Sequence, residues 1–327
     1  GQSDSIWGGE PGRSLGCDER SRIVTGEYSY TVDSLLRSYR VFIPSLYDGR
    51  PLPLLLSLHG WQRNGAVDED RSGFSTLAEK EGFIVVYPDG MSDNPNRGGP
   101  WGSWNAGGSG SNLSPAKLPP CRNGSVDAGL CYTSCPCHQK VGLAPWQCSW
   151  TTCVDDIKRF LPALLESVQM ELCIDTRRIY VTGFSNGGMA TYALGATLEN
   201  TLAAIVPVSG GFERGFEIPP ASQVPVMDVH GASDTTVPWN GTVSGDGVYF
   251  TPTAMTFELW SKRNGCTRSG SYHWRTSQDG VAGLECTAWG KCQAPMVRCI
   301  WTGGHDYYAG DHARLVWEFL SRFQRTS

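Results

Sequence analysis

The sequence predicts an α/β fold, a mostly parallel central sheet with helices on both faces, and two observations carry that prediction. Short β-branched or aromatic runs bounded by Gly, Pro or Asp alternate with stretches whose apolar residues recur at intervals of three and four. Each helix that follows a strand must pack back across the sheet, which sets successive strands side by side and parallel. The second observation is length: 327 residues can bury such a core as one catalytic domain spanning 1–327, without help from a metal or a partner.

Taken in order, residues 1 to about 27 are rich in Gly, Ser and Arg and read as a loosely attached N-terminal arm, with Cys17 available to staple it. Strands are expected over 28–32, 37–42, 54–58, 84–87, 179–182, 204–209, 226–230 and 297–301. The first two follow each other too closely for a crossover helix, so the sheet should start antiparallel. Helices are expected over 75–81, 154–170, 186–198, 254–263 and 312–323. Asp155 and Asp156 stand where N-terminal caps of the second helix belong. From about 91 to 153 the alternation stops, and Gly, Pro, Ser, Asn, Cys and Trp dominate. Loops of that length in a compact domain are usually functional, so this stretch reads as a disulfide-rich insertion near the active site.

Charge and hydropathy exclude several classes. With 27 Lys and Arg against 32 Asp and Glu the net charge is −5, and no basic tract occurs, so neither nucleic acid nor an anionic membrane is an expected partner. The longest apolar run, 52–58, is far short of the roughly 20 residues of a membrane helix. A soluble monomer is expected. The polar stretch 1–5 has neither a basic start nor an apolar segment, and the chain is read as mature and already trimmed.

Cysteine is in excess, 12 in all. Cys121, Cys131, Cys135, Cys137, Cys148 and Cys153 crowd the insertion, and Cys266, Cys286, Cys292 and Cys299 form a second group. An even count suggests disulfides made in an oxidising compartment, hence a secreted protein. Cys148 with Cys153 is one candidate pair. Cys131, Cys135, Cys137 and His138 lack the paired C-x-x-C knuckles of a zinc site, so no metal is expected. Asn112, Asn123 and Asn240 open N-x-[ST] acceptors for glycosylation.

The sharpest motif is Gly183-Phe184-Ser185-Asn186-Gly187, between a strand and a helix. That context is what a G-x-S-x-G nucleophile elbow requires, with glycines where backbones must pass too close for a Cβ. A serine nucleophile needs a base, and the base an orienting carboxylate, in the chain order Ser, acid, His. Asp234 follows the strand at 226–230 and His305 follows the strand at 297–301, both at carboxyl ends, where open α/β sheets place their sites. Asp228, inside its strand, is the weaker acid. His230 reads as ordering its own loop through a backbone hydrogen bond, His273 as exposed, and His312 as a surface or capping residue. For an oxyanion hole the expected donors are the N–H groups of Asn186 and of Trp61, which follows His59-Gly60 after the strand at 54–58. Twelve tryptophans exceed the need of a core this size, and Trp61, Trp101, Trp104 and Trp239 lie beside the motifs or in the insertion. Trp104, Trp239 and Gln62 are the expected substrate contacts.

With these residues in hand, the chain resembles secreted serine esterases, the family that includes feruloyl esterases and single-domain polyhydroxybutyrate depolymerases of the lipase-box type. The resemblance rests on Leu58-His59-Gly60, Tyr87-Pro88-Asp89-Gly90, Ser103-Trp104-Asn105-Ala106-Gly107, the segment 179–189 around Ser185, His230-Gly231 through Asp234 with Val237-Pro238, and Gly303-Gly304-His305. It extends from about residue 35 to the C-terminus. It implies an α/β-hydrolase fold, no cofactor, and Ser185, Asp234 and His305 as triad. A cysteine-rich segment from about 109 to 148 departs from it, being much longer than the family's usual connection. The expected function is hydrolysis of hydroxycinnamoyl esters on plant cell-wall polysaccharide. A polyhydroxybutyrate-type polyester is the second substrate, and a catalytically inactive carbohydrate-binding protein is the reading from another class.

Overall fold

β1 (Gly26–Val32) and β2 (Leu35–Phe42) form the antiparallel start, joined at Asp33 and Ser34. Both turn residues have positive φ, 50° and 65°, the two-residue hairpin geometry whose twist matches that of the strands. The computed structural model describes residues 12–18, 23–92, 102–108, 132–135, 150–267, 272–276 and 283–326, the segment 272–276 by its backbone alone. β3 (Leu52–Leu58) and β4 (Ile84–Pro88) are apolar runs buried because helices cover both faces of the sheet. They are followed by β5 (Ile174–Phe184), β6 (Ala204–Val208), β7 (Val226–Gly231), β8 (Tyr272–Thr276), β9 (Glu285–Ala288) and β10 (Met296–Trp301). The described strands make one sheet in the order β1-β2-β4-β3-β5-β6-β7-β10-β9-β8. Its centre, from β4 to β10, is parallel, and both edges are antiparallel.

The helices are α1 (Gly65–Ser72), α2 (Phe74–Glu81), α3 (Leu161–Glu171), α4 (Asn186–Thr197), α5 (Thr253–Arg263) and α6 (His312–Leu320). One core packs Leu161, Leu164, Leu165 and Val168 of α3, Tyr192 and Leu194 of α4, and Phe257 and Trp260 of α5 against one face of the sheet. Phe74 and Leu77 of α2 and Leu315, Val316 and Phe319 of α6 cover the other. The expected α/β class and mostly parallel sheet are what the described residues form.

Several expectations are corrected. α1 has no apolar repeat to announce it; Asn64 starts it, its side chain accepting from Val67 N at 3.0 Å. β8 and β9 were not expected. Only one of the two aspartates caps: Asp155 accepts from Lys158 N at 3.0 Å, whereas Asp156 is fully buried, 2.9 Å from Arg37 and accepting from Asn105 N. A π-helical turn, Asp156–Phe160, therefore precedes α3 where a regular helix was expected. His312 is buried against Phe74 and Tyr307, and Asp311 is the cap of α6.

Disulfides join Cys17 to Cys173, Cys135 to Cys153, Cys266 to Cys292 and Cys286 to Cys299. Cys153 thus pairs with Cys135 and not with Cys148, which lies outside the described residues. The same bond removes Cys135 from any zinc set. Around Cys17 the arm is attached tightly: Ser14 Oγ donates to Leu172 O and accepts from Ile174 N, extending β5 toward its N-terminus. Trp101, His138, Asn112 and Asn123 lie outside the described residues, as does most of the 91–153 stretch, and of His273 only the backbone is described.

Candidate active site

Ser185 sits between β5 and α4 with φ 56° and ψ −117°, a strained conformation for a residue with a Cβ. The flanking glycines make room for it. A Cβ on Gly183 would stand 2.5 Å from Gly187 O, and one on Gly187 would stand 2.0 Å from Leu58 O. Ser185 N donates to Val208 O of the adjacent strand at 2.8 Å, which fixes the turn to the sheet. The strain thus turns the hydroxyl out at the carboxyl end of the parallel strands.

Two other loops meet it there. His305, after β10, lies with Nε2 2.8 Å from Ser185 Oγ and Nδ1 2.7 Å from Asp234 Oδ2. Asp234, after β7, is held through its other oxygen by the N–H groups of Thr236 and Val237, at 2.9 and 2.8 Å. Burial works against its charge, but hydrogen bonds from His230 and His305 outweigh it and hold the carboxyl well below the usual range. An anionic carboxylate requires Nδ1 of His305 to carry the proton, which leaves Nε2 to accept from the serine hydroxyl. The loops bring Ser185, His305 and Asp234 into one hydrogen-bonded line. Asp228 is not in that line; its Oδ2 accepts from Tyr192 OH at 2.6 Å.

The loop after β3 passes beside the serine, with the position of a Cβ on Gly60 3.4 Å from Ser185 Cβ. His59 organises it. Its Nε2 accepts from Gly90 N at 2.8 Å, so Nδ1 carries the proton and donates to Gly60 O at 2.7 Å. Burial lowers its pKa to about 4, so the ring is neutral. Gln62, with φ 63°, donates its N–H to Gly102 O at 2.9 Å. Its side chain is exposed, while the N–H groups of Trp61 and Asn186 belong to the two segments that flank Ser185.

The tryptophan expectations divide. Trp104 is fully buried, its indole N–H donated to His59 O at 2.8 Å and its backbone clamped by the Asn186 side chain, which accepts from Trp104 N at 2.7 Å and donates to Trp104 O at 3.0 Å. It supports the loop and has no face for a substrate. Trp239 is half-buried, with Nε1 donating to Ala232 O at 3.2 Å. The sequence reading missed Tyr132 and Trp150. Trp61 donates through Nε1 to Tyr132 OH at 3.1 Å and meets Trp150 edge-on at 5.7 Å. Cys135–Cys153 joins the two segments that carry Tyr132 and Trp150. Trp150 Nε1 donates to Glu213, whose carboxyl is pushed up to about 8 by burial despite that bond. A neighbouring cysteine pair is the sequence signal that could have marked this cluster. Among the described residues no group of three or more His, Cys, Asp or Glu is placed to hold a metal ion.

Comparisons with known proteins agree with this architecture. The family model for phospholipases and carboxylesterases matches residues 149–247. Feruloyl esterase B of Piromyces equi is 26% identical over 298 residues, which are 88% of this chain and 45% of that one. Feruloyl esterase C of Emericella nidulans is 28% identical over 159 residues, 48% of this chain and 53% of that one. The chain therefore spans about half the length of these relatives. Among solved structures, acetyl xylan esterase from Aspergillus awamori superposes with a TM-score of 0.53 at 16% identity, covering 90% of this chain and 99% of that one. These matches bear out the α/β-hydrolase fold and the resemblance to esterases.

Proposed function

We propose that this chain, an α/β-hydrolase with esterases among its relatives, is a secreted carboxylic-ester hydrolase that uses Ser185, His305 and Asp234 as its triad. The observation that carries the reading is the unbroken line from Ser185 Oγ through His305 to Asp234, with links of 2.8 and 2.7 Å. His305 takes the Ser185 proton as the oxygen attacks the ester carbonyl, and Asp234 stabilises the imidazolium that forms. The N–H groups of Asn186 and Trp61 receive the oxyanion. The imidazolium then protonates the departing alcohol, and the neutral ring activates a water that releases the acid. Pairing of all eight described cysteines supports an oxidising compartment. No helix of the described residues is long and apolar enough to cross a membrane.

For substrate we favour hydroxycinnamoyl esters on plant polysaccharide, with Trp61, Trp150 and Trp239 as aromatic contacts and Gln62 at the rim. The names of the relatives and the Trp61–Trp150 contact support this. Acetylated xylan is the second reading, favoured by the 28% identity over 183 residues to the bifunctional acetylxylan esterase/xylanase XynS20E of Neocallimastix patriciarum. The test compares rates on methyl ferulate, p-nitrophenyl acetate, acetylated xylan and a hydroxybutyrate oligomer, with Ser185→Ala as control. Preference for methyl ferulate is expected, together with a fluorophosphonate mass adduct on Ser185 that Ser185→Ala abolishes. Preference for acetylated xylan moves the acyl group to acetate, and preference for the oligomer moves the substrate to a polyester. A folded wild-type protein that neither labels nor turns over any ester overturns the reading.

A further inference from the structure

Behind the Ser185–His305–Asp234 line lies a second histidine that the reaction scheme does not use. His230 and Asp228 alternate on β7, so both project to the same face of a strand that is buried along its whole length. Neither side chain reaches solvent. His230 Nε2 is 2.7 Å from Val237 O and 3.4 Å from Asp234 Oδ2. A carbonyl only accepts, so Nε2 carries a proton. His230 Nδ1 faces Asp228 Oδ1 at 3.5 Å, and neither of those two atoms has any other partner among the described residues. The other oxygen, Asp228 Oδ2, already receives the Tyr192 hydroxyl at 2.6 Å. Were Nδ1 bare, its lone pair would face a buried carboxylate oxygen with nothing between them, which is costly in a dry site. A proton on Nδ1 satisfies both atoms.

Resting on the triad reading above, we propose that His230 is a buried imidazolium that keeps Asp234 ionised and in place and thereby sets how readily His305 takes the serine proton. His230 is a positioning residue, since it acts only through Asp234. The two imidazoles share one oxygen, Asp234 Oδ2, at 2.7 and 3.4 Å. The charged neighbours are consistent with it. Asp228 comes from β7, Asp234 from the following loop and Tyr192 from α4, while Arg298 stands opposite Asp228 in the β7–β10 register. Two carboxylates thus flank one imidazolium, and the one nearer His305 is Asp234. Burial disfavours the charged ring, but Asp228 and Asp234 together outweigh that and push it up to about 10. The positive charge that holds Asp234 also opposes a second positive charge on His305.

Two measurements on the whole 327-residue chain test this. In histidine-15N-labelled wild type, both ring nitrogens of His230, assigned by their loss in His230→Gln, should remain protonated to about pH 8.5, well above the range of an ordinary imidazole. His230→Gln keeps a donor near Val237 O but removes the charge, and it should move the acid limb of kcat/KM upward by about one pH unit. Tyr192→Phe deletes a hydroxyl and no formal charge, and should leave that limb in place. A merely structural role predicts lower rates in His230→Gln with the limb unmoved, and that result, in a variant that melts cooperatively, overturns the proposal. A neutral His230 in the wild-type spectrum, with the proton on Asp228, also overturns it and needs no variant to fold. An unreactive Ser185 in wild type instead defeats the esterase reading, and the wild-type spectrum still decides the charge on His230.

Discussion

Replacing Asn186 by Asp changes one NH2 to an oxygen without changing the shape of the side chain, and it tests whether the Trp104 clamp carries the load assigned to it. Oδ1 would still accept from Trp104 N, but the atom that donates to Trp104 O would become a carboxylate oxygen about 3.0 Å from that carbonyl. Position 186 is fully buried, so the carboxyl is expected to answer by raising its pKa, by about three units in a site of this kind. Each unit is worth about 1.4 kcal/mol, giving roughly 4 kcal/mol when the group is forced to ionise. Position 186 is also the first residue of α4, where the helix N-terminus favours an anion by about 1 kcal/mol. Desolvation wins, and a net loss of about 3 kcal/mol remains. The sign follows from linkage. The folded pKa lies above the unfolded one, so the variant should match wild type below about pH 4 and lose stability as pH rises, reaching the full deficit near pH 8. At roughly 2–4 °C per kcal/mol, the melting-point difference from wild type should approach about 10 °C at that pH. The same displacement should lower turnover at pH 8 by up to about 100-fold, the effect of losing one oxyanion donor. Thermal scans of both proteins from about pH 4 to pH 8 read the result. A difference that stays constant with pH would refute the clamp.

Two further outcomes follow from the tryptophan cluster. Trp150→Ala removes the edge contact with Trp61, and should lower kcat/KM on methyl ferulate by about 10-fold while leaving p-nitrophenyl acetate nearly unchanged; equal losses on both esters would remove Trp150 from acyl recognition. Glu213, pushed up to about 8, is neutral in the fold at acid pH, so its contribution to stability should fall as pH rises from about 4.5 through 8, and Glu213→Gln should melt with wild type at about pH 5 but well above it at about pH 9. Parallel melting curves for the two proteins across that range would contradict the buried neutral carboxyl.

The centre of the fold is legible in the sequence because its signals are local. Buried parallel strands must be apolar runs, and β3, β4, β6, β7 and β10 lie within two residues of where the sequence puts them. The elbow is local too, since the glycines that relieve the turn stand at fixed offsets from Ser185. The elements and contacts that escape the sequence have no local signal. α1 is held by a cap and by its place between β3 and β4, not by an apolar face. Asp155 and Asp156 are adjacent and chemically alike, yet the buried one is the one that meets Arg37 of β2 and Asn105 N, both far off in sequence. Trp104 reads as a substrate contact in the sequence because counting tryptophans cannot distinguish one that caps a loop from one that lines a cleft.

The same distinction separates the residues proposed to react from those that support them, and β7 shows that it is not absolute. Ser185, Asp234 and His305 could be found because each follows a strand at its carboxyl end. His59, the Asn186 side chain and Glu213 find their partners across loops, and no spacing in the chain records those meetings. His230 differs. Val226–Gly231 alternates Asp228 and His230 within a run that must be buried on both faces, and a buried strand can hide two ionisable groups on one face only if they compensate each other. Asp234, four residues on, then brings a second carboxylate to the same ring. That spacing is present in the amino-acid sequence itself; the expected backbone hydrogen bond from His230 to its loop is there, at 2.7 Å to Val237 O, while the two carboxylates around the same ring went unread. On the proposed reading, the base of the triad is supported from behind as well as from the side, and that support lies in the strand that leads to the acid.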